Sequence, residues 1–428
     1  MEQLPDPRRD VGGASGPELG PAFGPAVGLD FEYRTQRQRV LFGTGRAAEL
    51  LATVLGELGE HCGVLGELGD LGALGDQAAA IPDGTVPDTA GTPLTPGSPG
   101  SPRVMVIATR RELERSAAVL GGIRAVLVFD QVVQHVPAES AERAHRAAEA
   151  AGIDVVVALG GGSAIGLAKI LALRTERPTG LPIVAIPTTY SGSEATAVWG
   201  LVDQGVKNTG FDQRVLPGTV IYDAALTRSL PRELSVSSAL NALAHGVDAL
   251  WAPGANPVSA LIAGEGIRML AGALPRIAAE SAVDTMVGRE DALYGAYLSA
   301  SAFSSAGSGL HHKICHVLGG AFGLPHAQTH AIVLPHSVAL NASADPESEA
   351  RIAAALGSRS AVRGLLALRD RVHAPTALRD FGFQESDIAR AVALILPAVP
   401  VSNPRTVTPD DLTLLLRNAW AGTAPSGS

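Results

Sequence analysis

Four short runs constrain the fold of this chain more than anything else in it: Val104–Ala108 (VMVIA), Ala125–Phe129 (AVLVF), Val155–Leu159 (VVVAL) and Ile183–Ile186 (IVAI). Each is continuously apolar and rich in β-branched residues, with no polar position alternating. Strands of that kind are buried on both faces, as in parallel sheets covered by helices. Helical stretches lie between them, and Ala138–Ala151 carries the Glu and Arg of an exposed helix face. The pattern predicts a doubly wound α/β region, with ligands at the carboxyl ends of its strands. Val220–Tyr222 (VIY) ends that region near Leu226. From Pro231 onward the strand signals stop, and helical patterns cover 234–251, 257–274, 291–316 and 327–341. The organisation read from this is an α/β domain over 29–228 and an all-helical domain over 229–422, with a tail over 423–428.

Upstream of the first run the signals are weaker. Residues 1–28 are rich in Gly and Pro and read as a flexible tail. The segment FEYRTQRQRVLFGTG, from Phe31, predicts two short strands closed by a glycine turn, and Arg46–Gly59 predicts a helix. The string VLGELG occurs at Val54–Gly59 and again at Val64–Gly69, leading into a Gly-, Pro- and Thr-rich stretch. Residues 60–102 therefore read as a disordered surface insertion. A chain of 428 residues has ample core for two domains, and its net charge of −9 argues against nucleic acid or an anionic membrane as partner. The start MEQLPDPRRDVGG lacks the apolar core of a signal peptide, and no apolar run is read as long enough to span a membrane. Cys62 and Cys315 make no disulfide framework, which fits a reducing cytoplasm.

Two loops and one stretch carry the chemistry. The third run leads straight into Gly160, Gly161, Gly162 and Ser163 and then a helix, where bare backbone amides can approach a pyrophosphate at the positive end of a helix dipole. The fourth run ends in Thr188, Thr189, Ser191 and Ser193, a hydroxyl-rich loop at the same sheet edge suited to phosphate, ribose and nicotinamide groups. In the helical region Asn241 and His245 lie four apart on one face. The stretch Gly309–His336 holds six of the eleven histidines: His311, His312, His316, His326, His330 and His336. His312 and His316 share a helix face, and Gly319 with Gly320 is read as the break after it. Such a cluster suits a metal site, a proton relay or a clamp for an anion. Only three of the 33 basic residues are lysines, Lys169, Lys207 and Lys313, which points to places where a compact ammonium matters.

With those residues in view, the chain resembles the iron-containing alcohol dehydrogenase superfamily, and within it the maleylacetate reductases. The resemblance covers roughly residues 30–60 and 103–422, and rests on the order GGGS, PTT, NALAH and HxxxH…PH. It implies the superfamily's fold, an α/β dinucleotide-binding domain followed by an all-α catalytic domain. In metal-dependent members four residues hold Fe²⁺ or Zn²⁺, at positions corresponding here to Asn241, His245, His312 and His326. The acidic one is replaced by Asn241, so no metal is expected. Gly166 in place of an Asp, the short TTYSGSE loop and the HHKxCHVLGG run at His311–Gly320 also match the reductases. The resemblance implies reduction of 2-maleylacetate to 3-oxoadipate by NADH or NADPH during aromatic degradation. The catalytic residues would be His245, His312, His316, Lys313 and His326, and the commonest assembly a homodimer. His311 and Lys313 lie about 100° either side of His312 on a helix, and Lys313 is the one expected to face a dicarboxylate substrate. After VMVIA come Thr109, Arg110 and Arg111, where NAD-selective enzymes carry an acid, so both cofactors are expected to work. Competing readings are a metal-dependent alcohol dehydrogenase of the same superfamily and a catalytically silent cofactor-binding protein.

Overall fold

The four apolar runs lie side by side in one sheet, but Ala125–Phe129 is its edge strand and, contrary to the expectation of burial on both faces, leaves Val126 and Val128 about half exposed. The computed structural model describes Phe31, Tyr33 and residues 35–68, 101–203, 206–279 and 281–425. The chain opens with β1 (Arg39–Phe42) and α1 (Ala47–Leu68), and continues with β2 (Val104–Ile107), α2 (Arg110–Arg115), α3 (Ala117–Leu120) and β3 (Ala125–Phe129). Next come α4 (Ala138–Ala150), β4 (Val155–Gly160), α5 (Gly162–Arg174) and β5 (Ile183–Pro187). An antiparallel hairpin of β6 (Val198–Asp203) and β7 (Val206–Phe211) precedes β8 (Thr219–Tyr222). The main sheet has six strands in the order β1-β8-β5-β4-β2-β3, every neighbour parallel. From β2 the chain steps outward to β3, then returns to build β4, β5 and β8 on the other side. The order therefore reverses between β2 and β4, and the crevice at their carboxyl ends is where such sheets bind ligands. Ala108–Thr109 and the Gly160–Gly162 turn both lie there.

Strand period sorts the two faces. Val104, Val106, Val155, Val157, Leu159, Val184 and Ile186 pack with Leu51, Val54 and Leu55 of α1. Met105, Ile107, Val156, Ala158, Ile183 and Ala185 face α4 and α5. That second cluster runs on without interruption into the helical region, through Val236, Leu240, Leu243, Ile267 and Leu270. The helices there are α6 (Arg232–Ala249), α7 (Pro257–Ile277), α8 (Ala282–Ala306), α9 (Leu310–Phe322) and α10 (His326–Ala342), followed by α11 (Pro346–Ala355), α12 (Ala361–Arg371), α13 (Ile388–Ile395) and α14 (Pro409–Ala421).

Several sequence expectations change at this point. Residues 60–68 continue α1 instead of opening an insertion, because the second VLGEL repeat keeps the helical spacing of the first. Residues 69–100, like the predicted tail 1–28, lie outside the described residues. Among the described residues of the opening segment one strand, β1, stands where two were expected. The helix expected over 291–316 is broken at Gly307, whose φ of 92° ends α8. Conversely, Gly319 and Gly320 sit inside α9, and the stop is Gly323, left-handed at φ 69° with its N–H on the Gly319 carbonyl. The β6–β7 hairpin had no counterpart in the strand reading. Helix α7 is, by length and mean hydropathy of 1.2, apolar enough to cross a membrane, contrary to expectation. Here it packs against α6 and α8, burying Ile267, Leu270, Ala273, Leu274 and Ile277.

The α6–α7–α8 layer comes together through glycine. A Cβ on Gly266 would overlap Ser299 Oγ and approach the Ser299 amide at 2.9 Å, and one on Gly295 would lie 3.0 Å from the Gly266 carbonyl. Backbones this close tolerate no side chain. Gly266→Ala should therefore lower stability by about 1–3 kcal/mol. Gly272→Ala, in the same helix with open space around it, should raise it by up to about 1 kcal/mol. Denaturant unfolding of both variants checks the pair, and equal effects would refute the packing account.

Candidate active site

A buried carboxylate organises the histidines. Asp248 is three residues past His245 on α6, so both project from one side of that helix. Its Oδ2 accepts from the Gly309 amide at 2.8 Å and the His312 amide at 3.3 Å, and Oδ1 accepts from the His311 amide at 3.2 Å. These are the orphan donors of α9, whose N-cap, Gly309, has no side chain to satisfy them. A Cβ on Gly309 would overlap Asp248 Oδ1, so this cap requires glycine there. The same Oδ2 lies 2.8 Å from His312 Nδ1. His312 therefore gives Nδ1–H to the carboxylate and keeps Nε2, which is buried without a partner. Burial pushes Asp248 up to about 7, opposed by the three amides and by Lys313. Burial, and then the neighbouring imidazoles, hold His312 well below the ordinary histidine range.

Around this pair the rings close into one cluster. His245 stacks on His312 with centroids 4.8 Å apart and planes 14° apart, and Phe303 packs on both. His316 lies 5.9 Å from His312 and 6.2 Å from His326, which is 4.3 Å from His330. His316 is exposed, His326 and Lys313 are half-buried, and His245 and His312 are buried. Asn241 is buried one turn before His245, with Oδ1 unpartnered. The four imidazoles expected to be catalytic are thus assembled, His245 and His312 in the interior and His316 and His326 where solvent reaches them, while Lys313 is half-buried beside His312 on α9.

A second layer joins His311 and His330, both in the stretch read from the sequence, to Ser337, which was not. Ser337 Oγ donates to the Leu334 carbonyl at 2.9 Å, so toward His311 Nδ1, 3.1 Å away, it accepts. Burial pushes His311 down to about 3, so the ring is neutral and its Nε2 must accept from His330 Nδ1 at 2.9 Å. This directed chain leaves His330 Nε2 bare, and it is buried without a partner. The only signals for it in the sequence are the three-residue step from His245 to Asp248 and the four-residue step from His326 to His330. Neither specifies a partner. His336, the remaining histidine of the stretch, is buried elsewhere on α10 and touches none of these rings among the described contacts.

The crevice between β2 and β4 faces this cluster through one loop. A Cβ on Gly161 would meet Thr189 Cγ2 at 3.0 Å, and one on Gly162 would meet Ser191 Oγ at 3.3 Å, so the glycine turn and the hydroxyl loop are in contact. Helix α5 begins at Gly162 and Ser163 with no side-chain cap, leaving its first amides available. Thr188 is tied in place, its amide on the Gly160 carbonyl at 3.1 Å and its hydroxyl on Glu112 at 3.3 Å. Thr109 caps α2 by accepting from the Glu112 amide. Ser193 opens a 3₁₀ turn, and Gly192, at φ 72°, would place a Cβ 3.4 Å from His245 Nδ1. The loop that leaves β5 therefore ends against the imidazoles. An acid absent from the sequence argument also enters: Asp130, at the end of β3, pairs with Arg110 Nε at 2.7 Å.

Burying neutral histidines sets a pH dependence. His245 and His336 are each pushed down to about 4 by burial. The unfolded chain then binds more protons than the native one between roughly pH 4 and 6.5, so acidification destabilises the fold. Each of these rings contributes on the order of 3 kcal/mol of that loss by about pH 4. Asp248, raised instead of lowered, contributes in the opposite sense over the same window. The histidines outnumber it, so denaturation midpoints should fall from about pH 7 to about pH 4.5. A flat profile would contradict the buried neutral cluster.

Comparison with known proteins agrees with this architecture. Residues 98–224 match the iron-containing alcohol dehydrogenase family, and 235–420 match the C-terminal region of the Fe-containing alcohol dehydrogenase family. The chain is 46% identical to the maleylacetate reductase of Burkholderia cepacia, over 76% of this chain and 91% of that one. It is 44% identical to the maleylacetate reductase of Pseudomonas sp. strain P51, over 76% and 90%. Among solved structures, an iron-containing alcohol dehydrogenase from Corynebacterium glutamicum superposes with a TM-score of 0.79 at 47% identity, covering 92% of this chain and 97% of that one. Maleylacetate reductase from Agrobacterium tumefaciens superposes at 0.78 with 34% identity, covering 93% and 100%. The chain belongs to the iron-containing alcohol dehydrogenase family and, within it, to the maleylacetate reductases.

Proposed function

We propose that this protein reduces 2-maleylacetate, and substituted maleylacetates, to the corresponding 3-oxoadipates in aromatic degradation, using NADH or NADPH and no metal. The observation that carries the reading is the 46% identity sustained over 91% of a maleylacetate reductase. Several features of the cofactor crevice fit a dinucleotide. The glycine turn has no room for a Cβ, the first amides of α5 have no side-chain cap, and Ser191 Oγ is buried without a partner. Bound there, the reduced nicotinamide would supply a hydride to the conjugated double bond. The electrons displaced go into an enolate, which hydrogen-bond donors can stabilise without a Lewis acid. His316, His326 and Lys313 are the donors within reach of solvent and substrate. Lys313 holds a carboxylate, His245 and His312 form the wall behind them, and an imidazole of this set returns a proton to carbon.

The residues at the family's metal positions fit a divalent cation poorly. Asn241 supplies a neutral amide where an anionic ligand is needed. In the other grouping of imidazoles, His311, His312 and His330, both nitrogens of His311 are engaged, while His312 and His330 each keep a bare Nε2. One observation favours the competing metal-dependent reading: a carboxylate behind His312 is also how metal-ligating histidines are backed.

The deciding assay follows NADH oxidation with maleylacetate, beside simple aldehydes, with and without chelator. Turnover of maleylacetate that survives chelation is expected. One bound metal per chain, with activity lost on its removal, would overturn the metal-free reading. His312→Ala or His316→Ala should lower kcat by a factor on the order of 100 with NADH affinity unchanged. Lys313→Ala should chiefly raise KM for the dianion. Wild-type kinetics in all three would remove the cluster from the mechanism.

Cofactor choice turns on Asp130. Because Arg110 neutralises it, neither cofactor should be excluded, and the preference should stay within about a thousandfold. Arg110→Ala would leave Asp130 unpaired and should raise KM for NADPH about tenfold while leaving NADH nearly unchanged. Equal responses of both cofactors would place the 2′-position elsewhere.

A further inference from the structure

Lys169 is one of three lysines in a chain that otherwise writes its cations as arginine, and the reaction described above makes no use of it. It lies on α5, two turns past the glycine turn, and is 1% exposed. Its Nζ donates to the Thr196 carbonyl at 2.7 Å, to Thr196 Oγ1 at 3.1 Å and to the Val198 carbonyl at 2.8 Å. Three acceptors arranged around one nitrogen match an ammonium, and the planar fork of arginine could not serve them. The segment it grips is the end of the hydroxyl loop. The rest of that loop is fastened separately: the Tyr190 amide donates to Ser238 Oγ at 3.2 Å, Tyr222 Oη donates to Glu194 Oε1 at 2.7 Å, and Gln38 Nε2 donates to the Glu194 carbonyl at 2.7 Å. Between these anchors Gly192 lies against His245, and Thr189 and Ser191 lie against Gly161 and Gly162.

One side chain thus joins the helix that begins at the glycine turn to the loop that abuts the imidazoles. We propose that Lys169 is a positioning residue for hydride transfer, fixing the hydroxyl loop so that the nicotinamide half of the cofactor is held in register with His245 and the histidine cluster. The inference rests on the cofactor crevice assigned above. Misplacement of reacting groups by about 1 Å is enough to lower a rate on the order of 100-fold. A lysine serving only the fold would change stability and leave the register untouched.

The test compares Lys169→Met with Thr196→Val, which removes one of the three acceptors and spares the rest. In Lys169→Met, kcat with maleylacetate should fall on the order of 100-fold. The primary isotope effect with 4-deuterated NADH should rise as hydride transfer becomes limiting. Binding of ADP-ribose, which lacks the nicotinamide, should stay unchanged, while the fluorescence of bound NADH should report a looser nicotinamide. Thr196→Val should show the same signs at several-fold instead of 100-fold size. If Lys169→Met does not fold, Thr196→Val decides alone, and an unaltered isotope effect in it overturns the proposal. A lower Tm with unchanged kcat and unchanged NADH fluorescence in Lys169→Met also overturns it. Both binding readouts work without substrate. A wild-type protein that fails to turn over maleylacetate would therefore sink the functional reading, while NADH fluorescence and ADP-ribose binding would still decide the role of Lys169.

Discussion

The bond network of Asp248 is the constraint on which the rest of the site depends. A carboxylate placed at the start of α9 meets the positive end of that helix and three of its unpaired amides at once. In doing so it sets where α9 begins, and hence where His311, His312, Lys313 and His316 fall around the helix. It also selects the tautomer of His312. A second carboxylate does comparable work for α1: Asp223 accepts from the Gly45 amide at 2.8 Å and the Ala47 amide at 3.1 Å, seating that helix against the sheet. Both helices take a carboxylate from a distant part of the chain at their first turn.

The helical layer beneath the site is built for closeness instead of bulk. Small residues on α6, α7 and α8 let backbones touch, and the core they form is continuous with one face of the sheet. A loop can therefore run from the sheet edge to the histidines over a short distance. The hydroxyl loop uses that proximity, with Gly192 reaching His245 and Lys169 holding its far end. The imidazoles form two layers. Those that solvent reaches suit contact with a charged substrate, while His311, His330 and the buried face of His312 are locked by directed hydrogen bonds.

Much of this was legible in the chain. Three of the apolar runs identify a parallel sheet because strands buried on both faces dispense with alternation, whereas Ala125–Phe129 is equally apolar yet forms the half-exposed edge. The glycine turn and the hydroxyl loop could be assigned to one sheet edge, because the carboxyl ends of parallel strands lie along it. The boundaries were less legible. Gly319 and Gly320 look like a helix stop, yet α9 runs through them, since tertiary packing outweighs a local preference of about 1 kcal/mol per glycine. Gly307 and Gly323 do stop helices, and what separates them is backbone conformation, not composition.

By itself, then, the sequence determined the fold class, the sheet edge that carries the glycine turn and the residue types available for chemistry, because these follow from periodicity and local spacing. Tertiary structure alone decided which groups are partners. Asp248 and His312 are 64 residues apart, and Arg110 and Asp130 belong to different strands' ends. Whether an imidazole is a donor or an acceptor depends on a chain that ends at the Leu334 carbonyl. Periodicity carries no information about such pairings, since each is made by burial and by the approach of segments that local rules treat as independent.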